Sequence, residues 1–287
     1  MLGKAFRLHN RTIKITAAVL AAGFMALYPK WSQADQQRSR HDNKPATAAT
    51  TNPGKIDFLE KELKALATDF GVSANNIPAD FVGKVRRWAR LYQTRDRDEM
   101  ERILGPRHKE FKAVQRQVAA ANLPSELAFV TLVESHFQSR ISSANNVGLW
   151  QFTPDTARRN GLKVNAAVDE RTDPRKSTEA ACRYLSLLKR HLGPDTSLML
   201  ALAAYNMGPG RLKQRMQQVE DASRRRDFWY LYRVRVLPAL TRNHIARIMA
   251  AILIGRQPLR FGFKTTTSSG LETASATVAP LTSAVSR

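Results

Sequence analysis

The sequence predicts an all-α protein, and three observations carry that prediction. Apolar residues recur at helical spacing through most of the chain, as in Val85, Trp88, Ala89 and Tyr92, and again in Ile245, Ile248, Met249 and Ile252. Helix start and stop signals alternate: Thr153-Pro154-Asp155 and Asp173-Pro174 open helices, while Asn160-Gly161 and Gly193-Pro194 close them. No stretch shows the strict alternation and turn spacing of a sheet protein. Two segments, Leu123–Phe137 and Leu198–Tyr205, are apolar on almost every side, which places them inside a domain.

In chain order, Lys4, Arg7, Arg11 and Lys14 precede a run from Ile15 to Leu27 that is apolar except for Thr16, and Ser32-Gln33-Ala34 follows as an A-x-A-like cleavage site. This layout predicts an export signal over 1–34, with an uncleaved anchor as the alternative. The apolar run is short for a membrane span, which takes ~20 residues. Residues 35–54 are polar and aperiodic and read as a flexible linker. Residues 55–122 read as accessory helices: Ile56, Leu59, Leu63 and Leu66 mark the first, Val85 to Tyr92 the second, Met100 to Leu104 the third, and Phe111, Val114 and Val118 the fourth.

The main domain is expected over 123–261. It opens on the Leu123–Phe137 helix, with Pro124 in its first turn. Further helices are expected after Thr153, after Asp173, after Thr196 or Ser197, over Arg211–Val219, over Phe228–Val236 and over Pro238–Ile254, the last with Gly255 as its stop. Asn206 to Gly210 read as a turn. Residues 262–287, rich in Thr, Ser, Ala and Val, read as a disordered tail.

The chain has 287 residues and a formal charge of +22, from 46 Lys and Arg against 24 Asp and Glu. Five of those bases and no acid fall in residues 1–34, so the excess persists beyond them. Such a charge favours an anionic polymer as partner. The one cysteine, Cys182, cannot form an internal disulfide; its setting in a helical pattern reads as a small buried residue. The six histidines are scattered, with no metal-ligand spacing and no phosphate-binding glycine loop, so neither metal nor cofactor is expected.

Glu134 is the anomaly in this pattern. It is a carboxylate near the end of an apolar helix, beside Val130, Val133 and Phe137, where an idle acid is costly. Two further pieces follow it: Gly148-Leu149-Trp150-Gln151-Phe152, just ahead of a capped helix, and Ala204-Tyr205-Asn206, where the second buried helix ends.

In this order and spacing the three pieces resemble the lysozyme-like lytic transglycosylases of the soluble-lytic-transglycosylase type, over roughly 123–255. Leu123-Pro124-Ser125-Glu126-Leu127, Asp169-Glu170-Arg171-Thr172-Asp173-Pro174 and Leu237-Pro238 fit the resemblance. The accessory helices resemble the lead-in of membrane-associated relatives, without their LysM repeats. The fold implied is a lysozyme-like transglycosylase domain preceded by accessory helices. The activity implied is non-hydrolytic cleavage of the MurNAc-β-1,4-GlcNAc bond of peptidoglycan, leaving 1,6-anhydro-MurNAc ends.

By the same resemblance Glu134 is the single catalytic acid, and burial among apolar side chains suits the protonated form that donation needs. Gln151 matches a sugar-binding glutamine, and Tyr205 a tyrosine whose hydroxyl lies close to the acid, with Ala204 its usual neighbour. Ser143 matches a serine in the loop after the catalytic helix, Asn206 orients the turn or touches sugar, and Ser135 follows the acid as the motif requires. Where the family has Glu-Thr-Arg-x-Tyr, this chain has Leu240-Thr241-Arg242-Asn243-His244. His244 is thus a substrate-wall residue that keeps a ring and loses the phenol.

The expected partner is the peptidoglycan glycan strand, met in the periplasm by a monomer, with a cell-envelope assembly as a further partner. The alternatives are a hydrolytic muramidase on the same fold, or a catalytically weak wall-binding component of an envelope-spanning assembly. Nucleic-acid binding is invited by the charge and opposed by the export signal and the ordered motifs.

Overall fold

A computed structural model describes residues 53–105, 108–139, 141–142 and 145–264, with side chains from Phe58 onward. The expected export signal, most of the expected linker and nearly all of the expected tail lie outside these residues. Eleven α-helices are seen among the described residues: α1 Pro53–Asp69, α2 Ala79–Gln93, α3 Arg97–Leu104, α4 Lys109–Ala120, α5 Phe129–Ser135, α6 Pro154–Arg159, α7 Pro174–Leu192, α8 Leu198–Met207, α9 Pro209–Gln217, α10 Phe228–Arg233 and α11 Ala239–Arg256. Short 3₁₀ turns join several of them. Extended pairing among the described residues is limited to isolated bridges such as Val147 with Phe152 and Val164 with Asp169. The fold is all-α. None of these helices is long and apolar enough to cross a membrane.

The helix ends follow local chemistry. Thr153, Asp173, Ser197 and Asp227 each accept a backbone N–H from the first turn of α6, α7, α8 and α10, satisfying donors that a helix start leaves open. α6 ends where Gly161 takes φ +83°.

Three local expectations are corrected. The segment from Leu123 is not one helix: Pro124 is extended at ψ 125°, a 3₁₀ turn covers Ser125–Ala128, and α5 begins at Phe129. His136 and Phe137 both turn to positive φ, which ends α5 one residue after Glu134. Asn206 lies in the last turn of α8 rather than in the turn, which is made by Gly208 and by Pro209 opening α9. Gly255 is not a helix stop, because α11 continues to Arg256. A Cβ at Gly255 would lie 2.2 Å from the Phe129 ring, so glycine is required there for α11 to pass close against the start of α5.

One contiguous apolar core runs from Leu59 to Phe263. α8 and α11 lie at its centre, α8 with every residue from Leu198 to Ala204 buried. The helices of the 55–122 segment pack onto this centre. α2 runs along α11, where the Trp88 indole donates to Asn243 Oδ1 at 2.9 Å and Arg247 stacks over the Trp88 ring at 4.9 Å. Arg256 of α11 pairs with Glu126 at 2.9 Å and with Asp69 of α1 at 2.7 Å. α3 reaches the end of α5, where Glu99 pairs with the His136 ring and Arg102 donates to the His136 carbonyl at 3.1 Å. The acid-bearing helix is therefore held at its C-terminal end by α3, while Arg256 of α11 ties the 3₁₀ turn ahead of it to α1.

Candidate active site

Glu134 sits in the last turn of α5, with Val133 and Ser135 buried on either side and its own side chain 10% exposed. Its Oε1 lies 3.2 Å from Nε2 of His244 on α11, itself 14% exposed. The two atoms are at ion-pair distance, although their alignment falls short of a hydrogen bond. His244 is held there by its neighbours. Thr241 donates to Asn206 Oδ1 at 2.8 Å, and Asn243 accepts from Trp88 at 2.9 Å, so the first turn of α11 is tied on two sides. The structure thus brings His244 to the acid itself, a contact the sequence does not disclose.

Gln151 lies on a loop that is tethered to four elements. Gly148 has φ +81°, and a Cβ there would come within 1.8 Å of the Arg171 carbonyl oxygen, so only glycine fits. The Ser135 hydroxyl lies 2.9 Å from both the Thr131 and the Leu149 carbonyls, which fastens the loop to α5 directly behind Glu134. The Trp150 indole donates to Thr178 of α7 at 3.0 Å, and its carbonyl accepts the Tyr205 hydroxyl of α8 at 2.6 Å. Gln151 itself has φ +49°, and its Nε2 donates to the Gly148 carbonyl at 2.9 Å.

The fourth tether is Arg171, 3% exposed. Its guanidinium makes a bidentate pair with Asp169 at 2.9 and 2.7 Å and donates to the carbonyls of Asn145 and Phe152 at 2.8 and 3.0 Å. The Asp-Glu-Arg-Thr segment is therefore the clamp that shapes the Gln151 loop. Arg171→Met is expected to cost about 3 kcal/mol, because it strands buried carbonyls and the Asp169 carboxylate; chemical denaturation measures this.

The Arg171 hydrogen bonds hold the Asp169 carboxyl below the ordinary carboxylate range. A group depressed in this way contributes stability above its unfolded pKa, and the contribution is lost as pH falls below about 4. The stability lost between about pH 5 and about pH 2 should therefore be smaller in Asp169→Asn than in the wild type.

An open groove of about 520 Å³ runs from Glu134 between α6, α7 and the α8–α9 turn. Glu134, Gln151, Tyr205 and Asn206 all line it, and Glu134 is the one carboxylate lining it among the described residues. Phe152, Tyr184 and Tyr205 form an aromatic wall, with the Tyr184 and Tyr205 rings 5.5 Å apart. Burial raises the Tyr184 hydroxyl above its ordinary value, so it stays a neutral donor.

Of the other expected site residues, Ala204 is fully buried beneath the groove, and Asn206 accepts from Thr241. Ser143 lies outside the described residues. Tyr205→Phe removes the tether to the Trp150 carbonyl. It is expected to lower stability by about 1 kcal/mol and to reduce turnover severalfold with the fold intact; circular dichroism and a turnover assay check both.

No cluster of His, Cys, Asp or Glu suited to a metal ion occurs among the described residues. Burial pushes the Cys182 thiol up to about 11, so it remains an unreactive core group.

Residues 113–228 match the family described as the Transglycosylase SLT domain. The chain is 33% identical over 153 residues to membrane-bound lytic murein transglycosylase D of Escherichia coli (strain K12), covering 53% of this chain and 32% of that protein. It is 34% identical over 155 residues to membrane-bound lytic murein transglycosylase F of Maricaulis maris (strain MCS10), covering 50% of this chain and 32% of that protein. The chain thus spans about a third of the length of these curated relatives. The family match takes in Glu134, Gln151, Arg171 and Tyr205 and stops before α11, which carries His244. The part of the chain that builds the groove from α5 to α9 lies within the residues that match the Transglycosylase SLT domain.

Proposed function

We propose that this protein is a peptidoglycan lytic transglycosylase acting in the cell envelope. The observation that carries the reading is an open groove with an aromatic wall in which Glu134 is the one carboxylate among the described lining residues. Most glycosidases need two carboxyl groups, one as acid and one as nucleophile or base. With one, the same group must serve twice. Protonated Glu134 donates to the glycosidic oxygen as the bond from C1 of MurNAc to that oxygen breaks, releasing the GlcNAc hydroxyl. The N-acetyl carbonyl oxygen of the MurNAc supports the electron-poor C1. Glu134, now a carboxylate, takes the proton of the C6 hydroxyl, whose oxygen bonds to C1 and closes the 1,6-anhydro ring.

The surroundings of Glu134 suit both steps. Ser135 fixes the helix end to the Gln151 loop, and the His244 ring stands 3.2 Å from the carboxyl. Nε2–H of that ring can steady the carboxylate formed after the first transfer. The envelope location draws on the export-type pattern of residues 1–34 and on the charge of +22, which suits an acidic wall. The test is mass spectrometry of purified peptidoglycan digested with the full-length chain. Anhydro-muropeptides are expected; the absence of released muropeptides would remove the enzyme reading.

A further inference from the structure

His244 reaches Glu134 from a helix whose start is loosely built. α11 opens at Pro238 with no side-chain cap, so nothing local fixes the roll of its first turns about the helix axis. That roll matters. At a helix radius of ~5–6 Å with side chains, a turn of about 10° carries a side-chain tip about 1 Å. The His244 ring stands 3.2 Å from the carboxyl it serves, and an error of that size changes the contact.

The roll is set from α2. Its Trp88, 4% exposed, donates its indole N–H to Oδ1 of Asn243, the residue before His244, at 2.9 Å. One turn further along both helices, Arg247 Nε lies 3.2 Å from the Tyr92 hydroxyl, and the Arg247 guanidinium stacks over the Trp88 ring at 4.9 Å. Two attachments on one face fix a helix both along its axis and about it. Asn243 and His244 are about 100° apart around α11. With Asn243 held on α2, the His244 ring is directed to α5. Thr241, bonded to Asn206 of α8 at 2.8 Å, opposes rotation from another side.

We infer that Trp88 is a positioning residue for catalysis, acting through Asn243 to hold His244 against Glu134. This role rests on the function proposed above. It makes the helices ahead of the main domain part of the catalytic apparatus: neither Trp88 nor Asn243 falls within residues 113–228, which match the family. A buried indole N–H needs an acceptor in any case. What singles this one out is that its acceptor adjoins His244 on a helix start with no cap of its own.

The test is a mutant cycle on the full-length chain. Trp88→Phe keeps a ring under Arg247 and removes the N–H. It is expected to lower kcat by about threefold to tenfold with KM little changed. In a His244→Ala background the same substitution should cause no further loss, because the group it positions is gone. A residue that only stabilises the fold would lower activity by the same factor in both backgrounds. That result, or an unchanged kcat in Trp88→Phe, overturns the proposal. Asn243→Leu removes the acceptor from the other helix; it should give the same pattern, and it decides the matter where Trp88→Phe fails to fold. The contact is also read without turnover. The His244 ring resonances in an NMR spectrum should move on Glu134→Gln, and move much less once Trp88→Phe is present; equal movement in both overturns the positioning role. A chain that releases no muropeptides yet shows this response loses the proposed function and keeps the positioning contact.

Discussion

Glu134→Gln is expected to lower turnover on peptidoglycan by about a thousandfold or more while leaving the fold and strand binding in place. The magnitude follows from the role. A positioned general acid or base contributes ~10²–10⁴-fold, and in the proposed mechanism one group serves as both in succession. The amide keeps the shape of the carboxyl, so α5 and its Ser135 tether to the Leu149 carbonyl should be undisturbed. It has no proton to give to the glycosidic oxygen and is too weak a base to accept one from the C6 hydroxyl. No other carboxylate among the described residues lines the groove to take over. Rates from the release of soluble muropeptides, with thermal unfolding as the control for folding, check the prediction; turnover within tenfold of wild type would remove Glu134 from the chemistry.

His244→Ala is expected to lower kcat by about tenfold to a hundredfold with little change in KM. Its Nε2 stands 3.2 Å from Glu134 Oε1. A charge-assisted hydrogen bond to the carboxylate formed after proton delivery is worth about 1.5–3 kcal/mol, and each 1.36 kcal/mol is tenfold in rate. The bond matters after the first transfer, so its loss falls on kcat. His244→Tyr places a hydroxyl donor near the same position and should recover most of the rate. A residue that merely fills space would show a loss of stability and no rescue that depends on a donor. An unchanged kcat in His244→Ala would reduce the contact to packing.

These two residues show how unequally the site can be read from sequence. Glu134 stands out because an acid on an otherwise apolar helix violates local pattern, and the glycine and aromatic residues around Gln151 mark a packed turn. His244 lies in the second turn of α11, far along the chain from α5, and the resemblance marks it only as a substrate-wall residue; the packing of the two helices is what brings it to the acid itself. Arg171 is hidden for a related reason. In the sequence it enters only as part of the Asp169–Pro174 stretch that fits the resemblance, and its burial under the Gln151 loop is a consequence of tertiary packing.

The helices themselves were legible wherever caps are local, as at Thr153, Asp173 and Ser197. They were misread where a distant contact decides. Gly255 near a helix end has the look of a stop, yet it serves the approach of the Phe129 ring. The expected single helix from Leu123 gives way to a 3₁₀ turn because Pro124 is extended.

The claim that one carboxylate acts twice and water takes no part is tested most directly by digestion in water enriched in heavy oxygen. Closure of the ring by the C6 hydroxyl transfers no solvent oxygen, so the MurNAc ends should carry none and should each be lighter than a hydrolysed end by one water. Heavy oxygen at C1 of those ends would show that water is the nucleophile, and would contradict the proposed chemistry of Glu134.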